Sequence, residues 1–333
     1  MEPDPPALMA IPGMVPYTSF INSLHQRSGI HQNALMEVLS RMIYGSNMIA
    51  MAGGSLLTTY RLCCAVFAEQ AQVPEEITKN DEVYEEIRQH LEFRGIRATD
   101  ESISRCYRET LQHAHAAKYL IRKIVLERKV FDEDTFKEAH RILTYNTDLG
   151  EQMPWTAYGG KYCVWDTPRD MRFLDPTQIP IAMSRMIKEL MVEMTNMDMQ
   201  EARDEDVYER VCYASRFCHR FILIRPFLDG NGRMYRLFLT TLLLRASICP
   251  AIYGLYTFDR FNHSQAEAAC FRQDNRELLG WIDLDNLGVN HDLAKFVFEH
   301  MHGGWNSRDD HKTTFLKATG QGQWDPSPPK MDS

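Results

Sequence analysis

The stretch that most constrains this chain is Ile224-Arg225-Pro226-Phe227-Leu228-Asp229-Gly230-Asn231-Gly232-Arg233-Met234-Tyr235-Arg236, set between two apolar helical runs, Val211 to Ile224 and Tyr235 to Leu244. Pro226 has no N–H and disfavours helical backbone at the residue before it, so the first helix must end near Arg225. Gly230 and Gly232 allow a tight turn whose backbone N–H groups point inward, and the next helix opens at once. Its unpaired N–H groups and positive dipole end therefore face the same pocket. This makes an anion cradle, to which Arg233 and Arg236 add two positive charges suited to phosphate oxygens. Asp229 at its mouth suits a hydrated Mg²⁺ that bridges phosphates. A D-G-N-G run is also a common tight turn. Two arginines, an acid and two flanking helices within a dozen residues favour the cradle.

The segment resembles the signature of the Fic (Fido) family, H-P-F-x-[D/E]-G-N-G-R-x-x-R, at every position except the first. The resemblance implies an all-α fold, a helical bundle with a small β-hairpin flap, and transfer of AMP from ATP to a Ser, Thr or Tyr hydroxyl of a protein. It implies Asp229 as the Mg²⁺ ligand, Gly230, Asn231, Gly232 and Arg233 around the α- and β-phosphates, and Arg236 on the γ-phosphate. ATP and Mg²⁺ are the implied cofactors. The departure is at Arg225, which stands where the family has its catalytic histidine.

With 333 residues the chain can bury a sizeable core, in one large domain or two closely packed ones. Its net charge of −8 and the lack of a basic stripe argue against a nucleic-acid partner. The eight cysteines include no C-x-x-C spacing, so neither a zinc site nor a redox motif is supported, and buried free thiols in a reducing compartment are expected. Met1 to Met14 lacks the basic start of a secretory signal, and the apolar run Leu237 to Leu244 is too short to span a membrane. The expectation is a cytoplasmic or nuclear protein with no membrane partner.

The expected organisation is a flexible tail over 1–16, an N-terminal helical region over 17–130, a Fido domain with C-terminal helices over 131–302, and a disordered tail over 303–333. Tyr44 to Gly53 resembles the family's regulatory helix, S-N-x-I-E, whose glutamate pairs with the second signature arginine. Ala50 occupies the glutamate position. An Ala/Met/Gly-rich core helix accounts for the same residues. Helical spacing marks Asp81 to His90 and Glu101 to Lys129. His113 and His115 are two apart and cannot face one ligand on a helix, so they read as surface or capping residues. A helix from Phe131 to Thr144 contains His140, at a position where the family often has histidine, with a packing role.

Residues 158–174 alternate large side chains and read as a hairpin. The resemblance makes this a flap over the nucleotide that clamps an unidentified protein target by strand addition. Cys163 stands where family members commonly carry arginine. A helix from Ile181 to about Glu193 and a polar connector from Met194 to Glu205 precede the helix entering the signature. After the signature, Tyr253, Tyr256 and Phe258 are aromatics where similar proteins pack adenine, and Asn262 could bond its edge. Ordinary core packing explains the aromatics equally.

Arginine has no acceptor lone pair and stays protonated, so Arg225 cannot act as a general base. Loss of such a base typically lowers a rate by about 10²–10⁴-fold. His219 lies about 9 Å up the helix and roughly 120° around it, off the pocket. Three readings follow from the residues. The protein binds ATP and Mg²⁺ without transferase activity, or is an active nucleotidyl or phosphoryl transferase with altered chemistry, or is a structural or interaction module with a vestigial pocket.

Overall fold

Pro226 and Gly230 fix the ends of the two helices at the centre of the fold. The structure, a computed structural model, describes residues 29–68, 73–150, 152–164, 174–199, 206–256 and 291–306. Helix α8 (Val207–Ile224) stops two residues before Pro226, and α9 (Asn231–Arg245) starts directly after Gly230. Between them Arg225 closes α8 in left-handed backbone, φ 47° and ψ 64°, with its N–H bonded to Phe221 O at 3.0 Å. Gly230 has φ 75°, a conformation that costs glycine little and most other residues much.

Helix α9 is buried on all sides, as its run of leucines and Phe238 requires. The elements around it are α1 (Gly29–Ile49), α2 (Leu56–Phe67), α3 (Glu82–Phe93), α4 (Asp100–Leu120), α5 (Glu133–Leu143), a single turn α6 (Trp155–Tyr158), α7 (Ile179–Met199) and α10 (His291–Asn306). A π-helical turn, Ile121–Leu126, extends α4. Helices α1, α4, α5, α8 and the π-turn all touch α9, whereas α7 and α10 pack on α8. One hydrophobic core runs from α1 to α10, so the N-terminal helices and the signature helices are buried against each other.

At the centre of that core, Phe131 stacks on Phe136 at 4.9 Å, and Phe238 meets both edge-on at 4.9 and 5.0 Å. Phe221 stacks on Phe136 at 5.6 Å. This cluster joins α5, α8 and α9 directly beneath the turn. Arg245, itself buried, finishes α9 by donating to Ile124 O (2.8 Å) and Lys129 O around the π-turn and by pairing with Asp198 of α7. At the opposite side Gly45 lies so close to Tyr253 that a Cβ there would stand 2.0 Å from the Tyr253 carbonyl oxygen. Glycine is what lets α1 seat against the chain leaving α9.

Three expectations change. Helix α7 runs on to Met199, beyond the expected end at Glu193, because Met194 is buried and Asp198 is tied to Arg245 and Arg128. His113, expected at the surface, is fully buried with its Nδ1 2.7 Å from Asn47 Oδ1. The expected flap hairpin is not seen: among the described residues there is no strand, and 165–173 of the 158–174 segment lie outside them. The near half of that segment is bonded elsewhere, Gly160 N–H to His140 Nδ1 at 2.9 Å and Cys163 N–H to Pro226 O at 2.8 Å. The tail 1–16, Phe258, Asn262, most of the expected final helices and residues 307–333 of the tail expected over 303–333 also lie outside the described residues, while 303–306 of that tail belong to α10. No described helix is long and apolar enough to cross a membrane.

Candidate nucleotide site

The turn from Arg225 to Gly230 is held by three devices, two of them side chains and one a backbone bond. Asn231 binds Phe227 at both ends, accepting from its N–H at 3.0 Å and donating to its carbonyl at 2.6 Å. The Asn231 side chain therefore shapes the loop rather than facing a ligand. His140 supplies the second device. Its Nδ1 accepts from Gly160 N–H, which leaves the proton on Nε2, and Nε2 donates to Asp229 O at 2.9 Å. The ring stacks flat on Phe227, centroids 3.7 Å apart. Burial pushes the His140 pKa down to about 4, partly opposed by the Asp229 carbonyl and reinforced by Arg233, so the imidazole is neutral. The third device is the Cys163 N–H bond to Pro226 O, which joins the root of the 158–174 segment to the turn.

Above the turn lies a cavity of about 640 Å³, within the range of small-ligand sites. Asp229, Gly230, Asn231, Gly232, Arg233, Arg236 and Arg225 line it, and so does Ala50 from the end of α1. Residues far apart in sequence are thus brought to one space. The cavity sits at the N-terminus of α9, where helix N–H groups and dipole favour an anion. A Cβ on Gly232 would come within 3.4 Å of the Arg236 guanidinium, so the glycine keeps the floor low.

The arginines differ in how they are occupied. Arg233 is buried, its Nη2 lies 3.4 Å from the Asp229 carboxylate, and its buried Nη1 makes no hydrogen bond. An orphaned buried guanidinium donor is costly unless a ligand completes it. Arg236 is also buried, but its Nε and Nη2 donate to Ser46 Oγ (2.8 Å) and Ser46 O (2.9 Å) on α1. Arg225 is exposed at the rim. Behind these, His113 stays neutral, its pKa driven well below the usual value by burial and by Arg233 and Arg236.

The cavity lining also carries charges that sequence spacing did not single out. Arg94, the residue that ends α3, and Arg105 and Glu109 of α4 all line the cavity. Glu109 is buried, accepts from Gly53 N–H at 2.9 Å, and pairs with Arg105 Nε at 3.0 Å. Tyr253 packs edge-on against Phe296 and His300 at 5.1 and 5.8 Å, and neither it nor Tyr256 is among the lining residues. Asn262 lies outside the described residues. Among the described residues no group of three His, Cys, Asp or Glu side chains could hold a metal ion by itself. A Mg²⁺ would take Asp229 together with phosphate oxygens and water, the ligand set this ion commonly prefers.

Residues 130–243 match the model of the Fic/DOC family. No curated protein matches the chain. Among solved structures it is similar to a Fic domain containing signaling protein from Bacteroides thetaiotaomicron, at 17% identity and a TM-score of 0.53, over 93% of this chain and 98% of that one. It is also similar to Fic-1 from C. elegans, at 16% identity and a TM-score of 0.54, over 89% of this chain and 73% of that one. At these identities the likeness concerns the fold.

Proposed function

We propose, taking residues 130–243 as a Fic/DOC segment, that the chain binds ATP with Mg²⁺ in the cavity above the turn and lacks efficient AMP transfer. The observation that carries the first half is the buried Arg233, whose Nη1 has no partner, at a helix N-terminus beside Asp229. In this reading Gly230, Asn231 and Gly232 offer backbone N–H groups to the α- and β-phosphates. Arg233 completes its bonding on them, and Asp229 holds the ion. Bound Mg²⁺ would neutralise phosphate charge.

The second half rests on Arg225, which sits at the family's histidine position and has no lone pair to accept the proton of an attacking hydroxyl. His140 is no substitute, since both ring nitrogens are engaged in holding the turn. Ala50 at the regulatory position removes a glutamate that an impaired enzyme does not need. The segment 158–174 is the proposed contact for a protein target.

Calorimetric titration with ATP and Mg²⁺ tests the reading. Heat is expected for the natural protein and should vanish in Arg233→Ala, with the variant's melting temperature recorded to separate misfolding from a weakened phosphate grip. Absence of binding to the natural protein at millimolar nucleotide rejects it in favour of a vestigial pocket.

A further inference from the structure

Arg236 is the residue that the family resemblance assigns to the γ-phosphate, yet here two of its nitrogens are held by Ser46. Ser46 is neutral, so Arg236 keeps its charge on the cavity, but these two bonds limit how far its guanidinium can follow a terminal phosphate, and a further cation there would add to its grip. The cavity lining supplies one. Arg94 lines the cavity from the end of α3, its buried Nη1 makes no hydrogen bond, and its Nη2 meets Met51 Sδ at 3.4 Å. A thioether is a poor acceptor for a guanidinium. Arg105 lines the same cavity and is fixed in place by buried Glu109 and by its bond to Asp148 O at 2.9 Å.

Among the described residues that line the cavity, five arginines face two carboxylates, Asp229 and Glu109, an excess of three positive charges. The nucleotide loop accounts for Arg233, and Ser46 orients Arg236 without cancelling its charge. Ala50, a methyl group on the same cavity, adds no acid to this lining. A polyphosphate chain fits this distribution better than a monophosphate, because a single phosphate at the turn leaves the Arg94 side uncompensated.

The geometry points to Arg94 and Arg105 as a second anion subsite, which takes the terminal phosphate of a nucleoside triphosphate whose inner phosphates lie on the turn. Glu109 is a positioning residue, holding Arg105 toward the cavity. The inference rests on the nucleotide-binding reading above and adds the choice of triphosphate over diphosphate.

Titration of the full chain with ATP and with ADP, each with Mg²⁺, tests it. The natural protein should bind ATP at least about tenfold more tightly than ADP, the scale of a charge-assisted hydrogen bond. Arg94→Gln and Arg105→Gln should each bring that ratio to within about threefold, whereas Arg233→Ala should weaken both nucleotides together. Both glutamine variants lie at partly exposed positions, and unchanged thermal unfolding will show that they fold. A natural ratio near one, or a ratio unmoved in both folded variants, overturns the subsite while leaving nucleotide binding standing. If neither ATP nor ADP binds, the underlying reading falls and the subsite with it.

Discussion

Arg225 concentrates two separate constraints in one residue. Its backbone must take left-handed φ and ψ to leave α8 before Pro226, and its side chain sits where the family resemblance calls for a base. Histidine tolerates that backbone region better than most non-glycine residues, so Arg225→His should be accommodated without moving the turn. The restored imidazole would take the proton of an attacking hydroxyl as its oxygen bonds to the α-phosphorus and the bond to pyrophosphate breaks. Self-labelling with tagged ATP is the readout, because it requires no known target. A gain of about 10²–10⁴-fold over the natural protein is expected, dependent on Mg²⁺ and abolished when Asp229→Ala is added. Strong labelling by the unmodified protein would reject the impaired reading. Binding without labelling in Arg225→His would place the fault in the 158–174 segment, where Cys163 stands at the position for which the Fic resemblance implies an arginine. The signature residues could be read directly from the chain because their chemistry is local: one turn, one helix start, consecutive N–H groups. Asn231 shows the limit of such reading. Its identity marked the loop, but only the fold reveals that its amide is bonded to Phe227 at both ends.

Helix α1 is where an element, rather than a residue, sets the state of the site. Ser46 reaches Arg236 from one turn before Ala50, and Gly45 permits the close approach to Tyr253 that brings α1 to the cavity. Ala50→Glu should therefore place a carboxylate among Arg94, Arg105 and the signature arginines. Calorimetry should show ATP binding weakened by about tenfold or more, the scale expected when a carboxylate competes with phosphate for a charge-assisted hydrogen bond. Thermal stability should be unchanged. Undiminished affinity would mean that the introduced carboxylate turns to solvent. Most helices were legible because each carries its own punctuation: Pro226 before α9, and Asp132 capping α5 through Thr135 N–H. What escaped were features made between elements. Helix α7 outruns its polar, methionine-rich end because Asp198 finds Arg245 on α9. Arg94 and Arg105 reach the cavity from helices far upstream of the signature. Their spacing could not announce it.

Because the N-terminal helices and the signature helices share one core, groups buried between them bear on the stability of the whole molecule. His113 and His140 lie in that shared interior as neutral rings, the first against Asn47 and the second beneath Asp229. The folded pKa of His140 is about 4 and that of His113 is well below the ordinary value, whereas both should titrate near 6.5 once unfolded. As pH falls below about 6.5 the unfolded chain takes up protons that the folded chain refuses, so stability is complete above that value and declines toward pH 4. His140 should contribute about 1–2 kcal/mol to the loss between pH 7 and pH 5, and His113 acts in the same direction. Urea unfolding at the two pH values, without nucleotide, should show the midpoint falling. His140→Gln should shrink the difference by its share, since glutamine is neutral at both pH values. An identical midpoint at pH 7 and pH 5 would show that the rings accept protons in the folded state. The hydrogen bond from Gly160 N–H to His140, and with it the anchoring of the turn, would then have to be abandoned.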